Sequence, residues 1–137
     1  MMLMTDKLSR AISGNKAETK VVVLIVDDEV RIVRFLRTSL SLAGYEVATA
    51  AGGEEALRLV ESISPDVMLL DIVMSPLDGF QVLKRLRAIS QLPVIAMSAH
   101  ASAREEAIRL GANAFLSKPF GPEDALREIR ALLEPKK

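Results

Sequence analysis

Three apolar runs limit this chain more than anything else in it: VVVLIV at 21–26, VMLL at 67–70 and VIAM at 94–97. Each is short and tightly bounded by polar or turn residues, as a strand covered on both faces would be. Between them lie segments whose apolar residues recur at helical spacing. The segment at 30–43 carries Ile32, Val33, Phe35, Leu36 and Leu40 on one stripe, with Arg31, Arg34 and Arg37 elsewhere. Buried strands joined by amphipathic helices predict a parallel sheet with helices on both faces.

Taken in order, residues 1–19 are polar and irregular, with Gly14-Asn15 as a breaker, and predict a flexible tail ahead of one domain over 20–137. Met4, Leu8, Ala11 and Ile12 in that tail have helical spacing. The first strand leads to the helix over 30–43, which Gly44 ends. YEVATA (45–50) alternates weakly, as an edge strand does, and Gly52-Gly53 open a second helix that Ser64-Pro65 stop. The third helix is expected over 79–88, the fourth over 103–110 and the fifth over 122–133, with AFL (114–116) as a short fifth strand. These are five βα units, and 137 residues suffice for one such domain. With right-handed crossovers, the order 2-1-3-4-5 satisfies both strong strands one, three and four in the centre and weak strands two and five at the edges. The expected fold is a doubly wound, flavodoxin-like (βα)5 domain.

Composition narrows the function classes. Eighteen basic residues balance eighteen acidic ones, so nothing suggests a grip on nucleic acid or an anionic membrane. There is no cysteine, which excludes disulfides and thiolate metal sites and fits a reducing cytoplasm. The longest apolar run, 21–26, is far below spanning length, and the first residues lack a signal-peptide pattern. The expectation is a cytoplasmic protein.

In the order 2-1-3-4-5, strands one and three are neighbours and the ligand-binding switch point lies between their carboxyl ends. Those ends carry Asp27, Asp28 and Asp71, while strands four and five end in Ser98 and Lys118. Three clustered carboxylates repel, by about 4 kcal/mol per pair at 4 Å and an effective dielectric of 20. A hard divalent cation resolves that repulsion, and Mg²⁺ (or Mn²⁺) prefers such oxygen ligands. A carboxylate beside Mg²⁺, with a lysine and a hydroxyl in reach, suits phosphoryl transfer to the carboxylate itself.

On these residues the chain resembles the receiver domains of two-component response regulators. The resemblance rests on IVDDE (25–29), LLDIVMSPLDGF (69–80), Ser98-Ala99 and LSKPF (116–120), in the family's order, and covers the chain from about Lys20 onward. It implies that Asp71 is the phospho-acceptor, that Asp28 ligates Mg²⁺ directly and Asp27 largely through water, and that the Val73 carbonyl is a further ligand. Lys118 would pair with the phosphoryl group, and Ser98 and Phe115 would be the hydroxyl and aromatic switch positions. A cis Lys118-Pro119 bond is implied as well. Implied partners are a sensor histidine kinase or phosphotransfer protein upstream and a protein target downstream. The target would be reached through the surface of the fourth helix, fifth strand and fifth helix, without direct contact to nucleic acid or membrane.

The chain departs from the family pattern in four places. Met74-Ser75-Pro76 sets the loop proline one residue later than usual, and the Ser98–Lys118 interval is slightly short. Phe115 lacks the phenol hydroxyl of a tyrosine. Asn113-Ala114 replaces the acidic residues common in DNA-binding members that dimerise through that surface, which leaves at most a weak homodimer of that kind. His100, the only histidine, either tunes water access to an acyl phosphate or is simply exposed. Four residues follow the fifth helix, so no attached output domain is expected.

Other functions fit less well. A phosphotransferase of the haloacid-dehalogenase type wants a second Asp two residues after the nucleophile, where Val73 stands. A flavodoxin-like cofactor carrier would meet repulsion from Asp27-Asp28-Glu29, and no phosphate-cradling glycine motif is present. A receiver-shaped module that is never phosphorylated is disfavoured by the complete set of acidic, hydroxyl and lysine residues.

Overall fold

The computed structural model describes residues 20–134; the expected tail over 1–19, with its helical spacing, and residues 135–137 lie outside the described residues. Ten elements alternate along the described residues. They are β1 (Val22–Val26), α1 (Val30–Leu42), β2 (Glu46–Ala50), α2 (Gly53–Ile63) and β3 (Val67–Asp71), followed by α3 (Gly79–Arg87), β4 (Val94–Ser98), α4 (Ala103–Arg109), β5 (Ala114–Ser117) and α5 (Pro122–Leu133). All neighbouring strands are parallel and their order is β2-β1-β3-β4-β5, the order expected from the sequence.

The strand period of two sorts the core into two layers. Leu24, Val26, Met68, Leu70, Val94 and Ala96 pack with Ala56, Leu57 and Val60 of α2, Val82, Leu83 and Leu86 of α3, and Ala107 of α4. Val23, Ile25, Val67, Leu69, Ile95 and Met97 pack on the opposite face with Leu36 and Leu40 of α1 and Ala125 and Ile129 of α5. β1, β3 and β4 are buried along their whole length, which explains their unbroken apolar character. Phe35 does not join the inward stripe of α1 and is 41% exposed. Leu36 and Leu40 set the centre of that stripe, and Phe35 lies one residue, about 100°, to its side.

The helix joints follow local chemistry. Gly44, at φ +99°, takes the left-handed position after α1, and Ser64 ends α2 at φ 48°. Asp78 opens α3 with a reciprocal cap: its carboxylate accepts from the Gln81 N–H while the Gln81 side chain accepts from the Asp78 N–H, both at 2.9 Å. The loop before it contains the buried Met74 and a cis Ser75-Pro76 bond, and Lys118-Pro119 is also cis.

Gly79 allows α3 to begin against the end of β3. Its N–H donates to the Ile72 carbonyl at 2.8 Å, and a Cβ there would lie 2.6 Å from both the Asp71 carbonyl oxygen and the Ile72 Cα. Both obstacles are backbone and cannot swing aside. Gly79→Ala should therefore cost about 1–3 kcal/mol or more in urea unfolding, as overpacking does. Gly52→Ala, where the added methyl meets nothing within 4 Å, should fall within about 1 kcal/mol of wild type.

Candidate functional site at the carboxyl ends of the strands

Parallel register builds the site. Val26 pairs with Leu70, so the next residue on each strand places Asp27 beside Asp71. The ladder extends past both strands, with the Asp27 N–H donating to the Ala50 carbonyl at 3.1 Å and the Ile72 N–H to the Met97 carbonyl at 2.9 Å. The two carboxylates are therefore fixed by backbone. Asp27 is 1% exposed and Asp71 4%, whereas Asp28, next in the chain, is exposed. The carboxylates of Asp27, Asp28 and Asp71 offer oxygens that all lie within 4.8 Å of one another.

Lys118 reaches this cluster from the end of β5, across β4. Its Nζ donates to Asp27 Oδ2 at 3.1 Å and to Asp71 Oδ1 at 3.2 Å, and lies 3.8 Å from Glu29 Oε1. The ammonium thus bridges the two buried carboxylates and offsets much of the repulsion expected from sequence. Three carboxylates against one ammonium still leave two negative charges. An all-oxygen donor set with that excess suits a hard divalent cation such as Mg²⁺.

Burial first, and then the Asp27 charge, push the Asp71 carboxyl up from 3.8 to about 6, against the opposing pull of Lys118 and of the Val73 backbone amide. Burial works against the Lys118 charge, but the hydrogen bonds and charges of Asp27 and Asp71 outweigh it and raise the lysine above its ordinary value.

The other predicted residues surround this centre. Ser98 ends β4, is 1% exposed, and its Oγ accepts from the backbone N–H of His100 at 3.0 Å. Its carbonyl accepts from the Lys118 N–H at 2.9 Å, which sets the root of the lysine side chain. Val73 is 59% exposed, and its backbone amide pulls the Asp71 carboxyl downward. Phe115 pairs with Ala96 across β4 and β5 and packs, half-buried, against the core layer of α2, α3 and α4. His100 is exposed. Asn113 is exposed, and its Oδ1 accepts from Arg87 Nη2 and from the Val94 N–H. Glu29 and the bridging geometry of Lys118 were not foreseen. The run Asp27-Asp28-Glu29 was the available signal for Glu29, but which of its members faces the sheet depends on where β1 ends.

Residues 23–130 match the response regulator receiver domain family. Over 118 residues the chain is 46% identical to the probable transcriptional regulator ycf27 of Guillardia theta, covering 85% of this chain and 46% of that protein. It is 37% identical over 114 residues to the alkaline phosphatase synthesis transcriptional regulatory protein PhoP of Bacillus subtilis, covering 81% and 48%. Among solved structures it superposes on the chemotaxis response regulator CheY4 of Vibrio cholerae with a TM-score of 0.79 and 36% identity, covering 84% of this chain and all of that one. The chain belongs to the response regulator receiver domains, the receiving modules of two-component systems. It spans about half the length of the curated relatives it matches. Among the described residues, no helix is long and apolar enough to cross a membrane.

The raised Asp71 value has a definite sign. In metal-free protein the folded state holds the Asp71 proton more tightly than the unfolded chain, so this residue favours folding below pH 4. That contribution is lost as pH rises through about 6. The full shift corresponds to at most about 3 kcal/mol. Denaturant unfolding in EDTA should show wild-type stability falling between about pH 4 and pH 6. Asp71→Asn should flatten that dependence and be the more stable protein at pH 7, by about 1–3 kcal/mol. Exposed Asp28 should give a smaller gain on substitution by Asn.

Proposed function

We propose that this chain is a phosphorylation-operated signalling switch in which Asp71 accepts a phosphoryl group. The observation that carries this reading is the buried Asp71 carboxylate, within reach of Asp27 and Asp28 and hydrogen-bonded by Lys118 Nζ at 3.2 Å. In the proposed reaction an Asp71 carboxylate oxygen attacks phosphorus as the bond to the donor's leaving atom breaks, giving an aspartyl phosphate and the free donor. Asp27, Asp28, Asp71 and the Val73 carbonyl would hold Mg²⁺ or Mn²⁺. Such an ion, when bound, supplies charge compensation for the phosphoryl oxygens. Lys118 exchanges its bond to Asp71 for one to a phosphoryl oxygen, and the Ser98 hydroxyl donates to another. Ser98 moving inward leaves space that Phe115 fills, which alters the surface of α4, β5 and α5.

The proposed domain runs over 20–137 behind a tail at 1–19, and its setting is the cytoplasm. A sensor histidine kinase or phosphotransfer protein would supply the phosphoryl group, and a protein target would read the α4–β5–α5 surface. Relatives named as transcriptional regulators support an output at gene expression, in a partner or a further segment. A receiver surface with no net basic charge would not itself contact DNA.

Incubation with acetyl phosphate and Mg²⁺, read by intact mass, tests the proposal. Wild type should gain one phosphate and Asp71→Asn none, with EDTA abolishing the gain. An unchanged adduct on Asp71→Asn would end the assignment of this acceptor. Because the assembled carboxylates exist only in the folded state, Mg²⁺ at a hundredfold excess over its dissociation constant should stabilise wild type by about 2.7 kcal/mol. Asp28→Asn should lose most of that response.

A further inference from the structure

One side chain fastens the C-terminal end of α4. Arg87, the last residue of α3, donates from Nε and Nη2 to the Gly111 carbonyl at 3.1 and 2.8 Å. Its Nη1 donates to the Ser90 carbonyl at 3.1 Å, and Nη2 also reaches Asn113 Oδ1 at 3.1 Å. Asn113 passes the restraint on: its Oδ1 accepts from the Val94 N–H at 2.9 Å, and its own N–H donates to the Val94 carbonyl at 2.8 Å. A single planar fork therefore ties the α4–β5 turn to the α3–β4 loop and to the first residue of β4. Gly111, at φ +112°, belongs to the same fit, since a Cβ there would lie 2.8 Å from Arg87 Nε.

The other end of α4 has no side-chain clasp; its hold there is the half-buried Ala103 against the core and the turn bond from the Ala103 N–H to the His100 carbonyl at 3.0 Å. Residues 99–102 are all exposed, Ser102 opens the helix without a side-chain cap bond, and Ala107 is the only fully buried residue of α4. At seven residues α4 is also the shortest helix among the described residues. α3, which carries the clasp, is locked at its own start to the end of β3 through Gly79. The frame that holds the C-terminal end of α4 is thus referenced to the strand end that bears Asp71.

We propose that Arg87 makes the α4–β5 turn a fixed pivot, about which α4 swings from its N-terminal end when the end of β4 changes state. Arg87 is in this sense a positioning residue, and the restraint converts a small displacement beside Ser98 into rotation of a surface helix instead of its detachment. The trigger rests on the phosphorylation reading above; the clasp does not.

Amide exchange and chemical shifts on the full ¹⁵N-labelled chain separate the two. In EDTA, the amides of Leu110, Gly111, Ala112 and Asn113 should exchange about tenfold or more slowly than those of Ala103 and Arg104. Arg87→Met keeps the apolar stem but removes the donors, and should erase that difference. Arg85→Gln, which loses only the exposed pair with Glu54, should preserve it. After acetyl phosphate and Mg²⁺, wild-type shift changes should be largest over 99–106 and fall several-fold by 111–113, and Arg87→Met should flatten this gradient. A protein that is merely destabilised would keep the gradient. Equal exchange at both ends of α4, or a gradient that survives Arg87→Met, overturns the pivot. Should Arg87→Met fail to fold, Arg87→Lys, which keeps the charge without the fork, should give a partly flattened gradient, and a wild-type gradient in it overturns the pivot. Absence of phosphate on the wild-type chain refutes the acceptor reading instead, and the exchange pattern then decides the clasp alone.

Discussion

Everything distinctive in this molecule depends on two parallel strands ending in step. Because Val26 pairs with Leu70, Asp27 and Asp71 stand side by side with their backbones held in the ladder, and neither can retreat from the other. Burying two like charges at that spacing is unfavourable in any fold. It is tolerated because Lys118 arrives from β5 and bonds both. The arrangement remains short of positive charge once Asp28 is included, and this deficit suits a hard cation, as the proposed phosphoryl acceptance requires.

The rest of the fold keeps that geometry from relaxing. β1, β3 and β4 are buried on both faces, so their carboxyl ends cannot shift without disturbing two core layers. Gly79 brings the first turn of α3 against Asp71 and Ile72, and the reciprocal cap of Asp78 and Gln81 fixes where that turn begins. α4 is the exception. It is short, buries only Ala107 fully, and carries the Arg87 clasp just beyond its last turn. Burial is thus deepest under the charges and thinnest at α4, part of the surface proposed for a partner.

Much of this was legible in the sequence, for physical reasons. Continuous apolar runs at 21–26, 67–70 and 94–97 are what doubly covered strands need, and they dictated the central positions of β1, β3 and β4. Asp27, Asp28, Asp71 and Lys118 followed because strand ends on one edge of a parallel sheet converge. Less was legible where a side chain's direction depends on tertiary contact. Phe35 has the composition of a core residue but lies to the side of the Leu36–Leu40 line. The exposure of Asp28 beside buried Asp27 depends on one residue of register. Lys118 bridging two carboxylates, and Arg87 clasping Gly111 and Asn113, join residues far apart in the chain, and no local pattern encodes them.

The bridged carboxylate pair can be observed directly by ¹³C NMR titration of the Asp71 carboxyl, first in EDTA and then with saturating Mg²⁺. A metal-free midpoint near 6 is expected, displaced downward once the cation is present. An ordinary carboxylate midpoint near 4 in EDTA, unmoved by Mg²⁺, would contradict it.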